Sequence, residues 1–427
     1  MRILWITNIP LPEASSLMGQ SPSPFGGWLV NSSKHLADDP DVELSIAFPS
    51  SNTKHYEKFS GAKISYYAFQ PVEDCDKGRL YDDKILRELV KDIKPDLVHI
   101  FGTEMAHSLS MVNVCNREKI EAVISIQGLV SVIEKHAFAS LPFKAIYGMT
   151  FRNLLKQDNV AGLRRLYARR GKNEIEAIMG VKHVIGRTTW DKACVTQINS
   201  DVRYHFCNET LRQEFYKHSW SIDKCIKHTI FVSQGQSPIK GLHHVLEAMP
   251  LIVARFPNAK LVIAGKDITK DDTFLDRLSM SYYGRYIKQL IHRLGLTDKV
   301  LFTGSLGEKQ MCERYLKSNV FVSASSIENS PNSLGEAMIL GVPCIASNVG
   351  GVPDMLEHRK EGFTYQADAP YMLAHYVCEI FGNDNLAITF SERARERAYQ
   401  THNPEINNQQ LISIYRDILG LSQERSI

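Results

Sequence analysis

An α/β protein built as two Rossmann-like domains is the fold that the 427-residue sequence predicts. Three observations carry this expectation. Short apolar runs of strand length alternate with amphipathic helical segments, the rhythm of a parallel, doubly wound sheet. The rhythm lapses over 211–226, a polar and aromatic stretch without clear periodicity, and then restarts. The length suits two domains, each large enough to close its own core.

In the first domain, 1–212, strands are expected near 2–7, 44–48, 64–68, 96–101, 122–127, 183–186 and 203–206. In the second, 213–402, they are expected near 229–233, 260–264, 299–303, 320–324 and 343–347. Helices fill the intervals, and the one expected over 82–93 repeats its apolar residues every three or four positions. The stretch 403–419 is a further helix candidate, with Ile406, Leu411, Ile412, Tyr415 and Ile418 spaced for one apolar face.

Composition narrows the class. Charged residues make up 23% of the chain and the formal net charge is only +3, so no global bias points to nucleic acid. The eight cysteines are scattered without a Cys-x-x-Cys pair, which indicates neither a disulfide framework nor a zinc cluster. The opening MRILWITN reads as a strand rather than a secretion signal, and no run of about 20 apolar residues is long enough to span a bilayer. A cytoplasmic compartment is the simplest expectation.

The most informative stretch is 320–357. An apolar strand leads into a polar loop interrupted by Pro331, and Ser333-x-x-Glu336 has the spacing of a capping box. Gly341 and Pro343 stop the helix, a second strand follows, and Gly350-Gly351 makes a flexible turn. A loop after the carboxyl end of a parallel strand is where such sheets bind ligands. The helix start, Asn332-Ser333-Leu334, offers unpaired N–H groups and a positive dipole end to an anion. Glu328 and Glu336 flank it with seven residues between them. Carboxylates repel phosphate, so their use there is to grip hydroxyls, and a phosphate flanked by polyols describes a nucleotide sugar. Spacing alone leaves open that Glu336 only completes a capping box and Glu328 is a solvated loop residue.

The same pair, followed by GVPCIASNVGGVPD, resembles the donor-site signature of glycosyltransferase family 4. The likeness extends over most of the chain. It implies the GT-B fold, two Rossmann-like domains facing across a cleft, with the last helix packing back on the first domain. It also implies a retaining transfer from a nucleotide-diphospho-sugar, with no cofactor and no metal. Isolated Asp82-Asp83 and Asp271-Asp272 pairs are read as surface turns or caps. By the same likeness, Lys240 of the Lys240-Gly241 pair binds the diphosphate, Glu328 holds sugar hydroxyls and Glu336 the ribose. The turn through Thr303, Gly304 and Leu306 takes the base, and the Gly26-Gly27 loop lies near the donor phosphates and the acceptor. Two positions depart from the family pattern. Gln234 stands where an arginine is usual, which removes a positive charge from the diphosphate clamp. Gln127 stands where many members have histidine, so it offers neutral hydrogen bonds and no base. Glu104 and His136 are further candidates for binding the acceptor, although a carboxylate at Glu104 also suits a helix start.

Residues 140–172 depart from neutrality, with eight basic residues against Asp158 and with Phe143, Tyr147, Phe151, Leu154 and Leu155 interleaved. Such a segment suits an anionic membrane surface, or a charged face over an apolar one packed on its own domain. The combined reading is a cytoplasmic transferase acting on a saccharide or lipid-linked saccharide in cell-surface polysaccharide synthesis. A sugar-nucleotide epimerase of the same fold and a non-catalytic nucleotide-sugar-binding subunit are the alternatives.

Overall fold

The computed structural model describes residues 1–21, 26–72 and 83–421. The chain divides into two compact units. The first comprises 1–131, 168–212 and 402–427; the second comprises 132–167 and 213–401.

Among the described residues the first unit holds eight strands: β1 (Arg2–Ile6), β2 (Glu43–Pro49), β3 (Tyr56–Ser60), β4 (Ser65–Phe69), β5 (Leu97–Phe101), β6 (Glu121–Ser125), β7 (His183–Gly186) and β8 (Arg203–Phe206). Their order is β3-β4-β2-β1-β5-β6-β7-β8, parallel except for the antiparallel β3 edge. The chain leaves β1 to one side for β2 and later returns to its other side for β5, so the β1–β5 junction is the topological switch point. The edge strand β3 was not expected. Its YEKFS sequence is short, polar and mostly exposed, so it lacks the apolar run that marked the buried strands.

The helix Pro404–Ile418 completes this unit's core, with Leu411, Ile412, Ile414 and Tyr415 packed among Ile3, Trp5, Ile46 and Phe48. Ile406, expected on its apolar face, is exposed instead. The buried stripe runs through 407, 411 and 415 at intervals of four, and 406 lies one residue off it. The Tyr415 hydroxyl accepts from Trp5 Nε1 at 2.9 Å and bonds His99 Nδ1 at 2.5 Å, while His99 Nε2 meets Ser125 Oγ at 2.7 Å. These bonds satisfy three polar groups in a fully buried place.

The second unit holds β9 (Ile226–Val232), β10 (Lys260–Ile263), β11 (Val300–Phe302), β12 (Ser318–Ser323), β13 (Cys344–Ser347) and β14 (Gly362–Tyr365). They form an all-parallel sheet in the order β11-β10-β9-β12-β13-β14, with the switch point between β9 and β12. The edge strand β14 is a four-residue addition that the sequence reading did not anticipate.

Residues 132–167, read from the sequence as part of the first domain, pack with the second unit. The attachment is specific. Thr150 Oγ1 donates to the Met280 carbonyl at 2.8 Å, the Tyr282 N–H donates to Asn153 Oδ1 at 2.7 Å, and His243 Nε2 donates to the Ala139 carbonyl at 2.7 Å. The helix expected over 82–93 runs Lys84–Ile93, and Asp82 lies outside the described residues.

Burial holds the His99 imidazole down to about 3 and those of His243 and His402 down to about 4. In the unfolded chain a histidine titrates near 6.5. The unfolded state therefore binds more protons than the folded state between these values, and stability falls as pH drops from about 6.5 towards 4. We expect the unfolding free energy from urea denaturation at pH 5 to lie below that at pH 7.5, by on the order of 1–2 kcal/mol for each buried imidazole, with a lower midpoint. An unchanged midpoint would contradict the neutral, buried state of these rings.

Candidate active site

In the second unit three loops after the carboxyl ends of adjacent strands lock together. The loop after β9 ends in the turn Pro238–Lys240, the loop after β12 carries Ser325 to Ser330, and the loop after β13 carries Gly350 and Gly351. The Ser326 N–H donates to the Ile239 carbonyl at 2.7 Å, and the Gly351 N–H donates to the Glu328 carbonyl at 3.1 Å. Ser347 Oγ donates to the Ser325 carbonyl at 2.5 Å. Across the switch point, Lys240 Nζ reaches Glu328 Oε1 at 2.5 Å, and Ser325 Oγ donates to the same oxygen at 2.7 Å. Two glycines make the fit possible. A Cβ on Gly241, at φ +70°, would stand 1.8 Å from the Ala324 carbonyl oxygen, and one on Gly350 would stand 1.8 Å from that of Glu328.

The helix after this loop runs Asn332–Leu340, with Pro331 as its N-cap. The expected capping box at Ser333 is therefore not formed. The fixed backbone of Pro331 starts the helix two residues earlier, which moves Glu336 out of the third helical position and buries it. The Leu334 N–H, expected to face an anion, already donates to the Pro331 carbonyl at 2.9 Å. The Ser333 N–H lies before the first intrahelical bond, where helix amides are available to a ligand.

At the far edge of the sheet, Thr303 to Leu306 follow β11 in an accessible turn. The Thr303 N–H donates to the Ile263 carbonyl at 3.0 Å, and Gly304 adopts φ +76° with open space where a Cβ would be. Gln234 is exposed on the loop after β9. Asp271 is paired with Lys288 and Asp83 with Arg117. Among the described residues no cluster of three or more His, Cys, Asp or Glu side chains is gathered for a metal ion.

The first unit has its own polar cluster at the carboxyl edge of its sheet. Asn8, after β1, donates through Nδ2 to Glu104 Oε1, after β5, at 2.5 Å, again across the switch point. Asn8 Oδ1 and Glu104 Oε2 are shut off from solvent and, among the described residues, meet no hydrogen-bond partner. Burial pushes the Glu104 carboxyl above its ordinary range, and the nearby Glu174 carboxylate adds to this. Gln127 Nε2 donates to Glu209 Oε1 at 2.7 Å, and the buried Arg187 guanidinium pairs with Glu209 Oε2. Arg187 Nη2 also donates to the Ile126 carbonyl at 3.2 Å. A cavity of about 30 Å³, room for one or two waters, opens beside this pair. Gly26 caps the helix Gly27–Asp38 at φ +75°. The close approach expected of these glycines is taken up by the side chains of Ile9 and Arg212, each within 3 Å of where a Cβ would stand. His136 is exposed on 132–167, which belongs to the second unit.

Residues 213–397 match the family described as glycosyl transferases group 1. The chain is 26% identical over 255 residues to N-acetyl-alpha-D-glucosaminyl L-malate synthase of Bacillus anthracis, covering 58% of this chain and 61% of that protein. It is 27% identical over 166 residues to the GDP-mannose-dependent alpha-(1-6)-phosphatidylinositol monomannoside mannosyltransferase of Mycobacterium tuberculosis, covering 37% of this chain and 40% of that one. The chain thus matches less than two thirds of the length of these curated relatives. Two solved structures are similar along almost the whole chain. Sucrose-phosphate synthase of Thermosynechococcus elongatus has a TM-score of 0.69 at 15% identity, covering 99% of this chain and all of that one. Anabaena Alr3699/HepE, in complex with UDP and glucose, has a TM-score of 0.66 at 16% identity, covering 98% of this chain and all of that one. The fold is GT-B.

Within the stretch that matches this family, Lys240, Glu328 and the start of the Asn332–Leu340 helix are brought to the carboxyl edge of one sheet. Three polar residues of the first unit escaped the sequence reading. Arg187 and Asn8 are single residues in strand-end loops, where no spacing marks them. Glu174 sits fully buried in the helix Val160–Met179 and accepts from Thr103 Oγ1, Ser131 Oγ and the Val130 and Ser131 amides at 2.5–2.9 Å. No spacing marks it either, since the helix also holds Glu176 and the sequence does not tell which of the two glutamates is buried.

The locked loops give a direct test. Gly241→Ala and Gly350→Ala should each lower the melting temperature several degrees more than Gly304→Ala. All three impose a positive φ on alanine, at about 1–2 kcal/mol, but only the first two also drive a methyl into a carbonyl. Equal shifts by differential scanning fluorimetry would show that the loops are not locked.

Proposed function

We propose that this chain is a retaining, metal-independent glycosyltransferase that moves a sugar from a nucleotide-diphospho-sugar to a saccharide or lipid-linked saccharide. Its setting is cell-surface polysaccharide synthesis, on the cytoplasmic side of an anionic membrane. The observation that carries the reading is the Lys240–Glu328 pair standing over the β9–β12 switch point beside the start of the Asn332–Leu340 helix. A cation and helix amides suit a diphosphate, and a carboxylate beside them suits the hydroxyls of the attached sugar.

On this reading the bond between the sugar's anomeric carbon and the diphosphate oxygen breaks, and negative charge grows on the leaving phosphate. Lys240 and the Ser333 N–H stabilise that charge, the role in which preorganised donors are most effective. Glu328 shifts from Lys240 to the sugar, and Glu336 serves the ribose. Thr303, Gly304 and Leu306 take the base, with Gln234 as a neutral partner at the phosphates. The acceptor hydroxyl attacks the same face from which the diphosphate leaves and gives its proton to the departing phosphate oxygen, so no protein base is required. In the first unit, Gln127 and Glu104 orient the acceptor. The unpartnered oxygens of Asn8 and Glu104 are the kind of acceptor pair that a sugar hydroxyl satisfies.

Two measurements test this. A panel of UDP- and GDP-sugars should contain a donor that raises the melting temperature, because a ligand at about 100 times its Kd stabilises the native state by about 2.7 kcal/mol. With that donor, Lys240→Ala should lower kcat/KM by about 10²–10³-fold while the circular dichroism spectrum stays unchanged. Binding without turnover would support a non-catalytic subunit, and epimerised free nucleotide sugar would support an epimerase.

A further inference from the structure

The segment 132–167 buries part of its apolar surface but leaves four of its large apolar side chains outside. Ala145, Ile146 and Asn153 face inward, whereas Phe143, Phe151, Leu154 and Leu155 are between 57 and 73% exposed. A second element of the same unit extends the surface. The helix Phe151–Lys156 packs against the helix Phe274–Ser279, whose Phe274 and Leu275 are 73 and 74% exposed. The two pieces are held by fixed bonds. Thr150 and Asn153 form a reciprocal cap for the first helix, and the same two side chains bind Met280 and Tyr282 beyond the second. Six large apolar side chains thus stand on a rigid mount, facing away from their own core.

We propose that this ridge inserts into the headgroup region of an anionic membrane. Charge selects that occupant. Residues 140–167 hold five basic residues against Asp158, which is paired with Arg152 at 2.7 Å, and around the second helix Asp271, Asp272 and Asp276 stand with Lys270 and Arg277, so the two pieces together keep a net positive charge. Lys144 and Lys156 are exposed and, among the described residues, have no carboxylate partner. Apolar anchors rimmed by uncompensated lysines match the acyl boundary and the phosphates of a lipid surface. A second copy meeting this face about a two-fold axis would set the same positive rim against itself. Among the described residues no helix is long and apolar enough to cross a membrane, so the contact is a surface one. The inference gives the proposed lipid-linked acceptor a place to be met, but its physical basis is independent of that reading.

The test uses the full chain sedimented with vesicles of phosphatidylglycerol mixed with phosphatidylcholine, and of phosphatidylcholine alone. The expected result is binding to the anionic vesicles that weakens with added salt. Leu154→Ser/Leu155→Ser and Phe274→Ser/Leu275→Ser should each reduce that binding by roughly tenfold or more. These side chains touch no part of the donor site, so the melting shift given by a nucleotide sugar should persist in both variants. If no sugar nucleotide shifts any form of the protein while vesicle binding follows the prediction, the proposed transferase function fails and the surface stands. Absence of binding at low salt overturns the inference, as does equal binding by all variants. So does a dimer in sedimentation velocity that the serine pairs dissolve while lipid is ignored.

Discussion

Everything assigned to the second unit depends on one ion pair being held where two strands part. Lys240 and Glu328 are 88 residues apart in sequence and meet at 2.5 Å because β9 and β12 are neighbours whose loops leave the sheet side by side. A loop lysine and a loop glutamate in water gain little from each other. Here the backbone does the positioning. Ile239 and Glu328 accept amide bonds from the neighbouring loops, and glycines at 241 and 350 allow carbonyls to approach where any side chain would collide. The pair therefore arrives at the switch point with little freedom left to lose, and preorganisation of this kind is what makes a charged site effective.

The first unit repeats the geometry with different chemistry. Asn8 and Glu104 also bridge a switch point, but a neutral amide replaces the ammonium and burial raises the carboxyl's affinity for its proton. One edge thus carries an ammonium paired with a carboxylate, and the other carries two buried oxygen acceptors, Asn8 Oδ1 and Glu104 Oε2, that among the described residues meet no hydrogen-bond partner. Arg187 does not change this contrast, since its charge is matched by Glu209, which also orients Gln127.

The sequence made the repeating α/β rhythm legible because buried parallel strands carry short apolar runs, as β1 does along its length and β9 and β12 do in Ile230–Val232 and Val320–Val322. The strand-end loops carrying Lys240, Glu328 and Gln127 could be placed for the same reason. The edge strand β3 was missed because its polar, exposed sequence has no apolar run, and β14 because four residues, though mostly buried, are too few to display one. The capping box at Ser333 was misread because Pro331 fixes the backbone and starts the helix first, a local competition that spacing does not display. The attachment of 132–167 to the second unit rests on Thr150, Asn153 and His243, whose partners lie about a hundred residues away or more. Nothing in the neighbourhood of those residues announces the choice. Arg187, Asn8 and Glu174 were hidden likewise, since a single polar residue acquires its role from the fold around it.

The place of Tyr415 in the first unit's core has a consequence for biosynthesis. The ribosome emits β1 to β8 early, yet the surface that Trp5 and His99 present stays uncovered until the helix Pro404–Ile418 clears the exit tunnel. By then the second unit's sheet is already complete in the nascent chain. The order of maturation is therefore inverted relative to the order of translation, because the strands β1 to β8 precede the second unit's sheet yet become fully native after it.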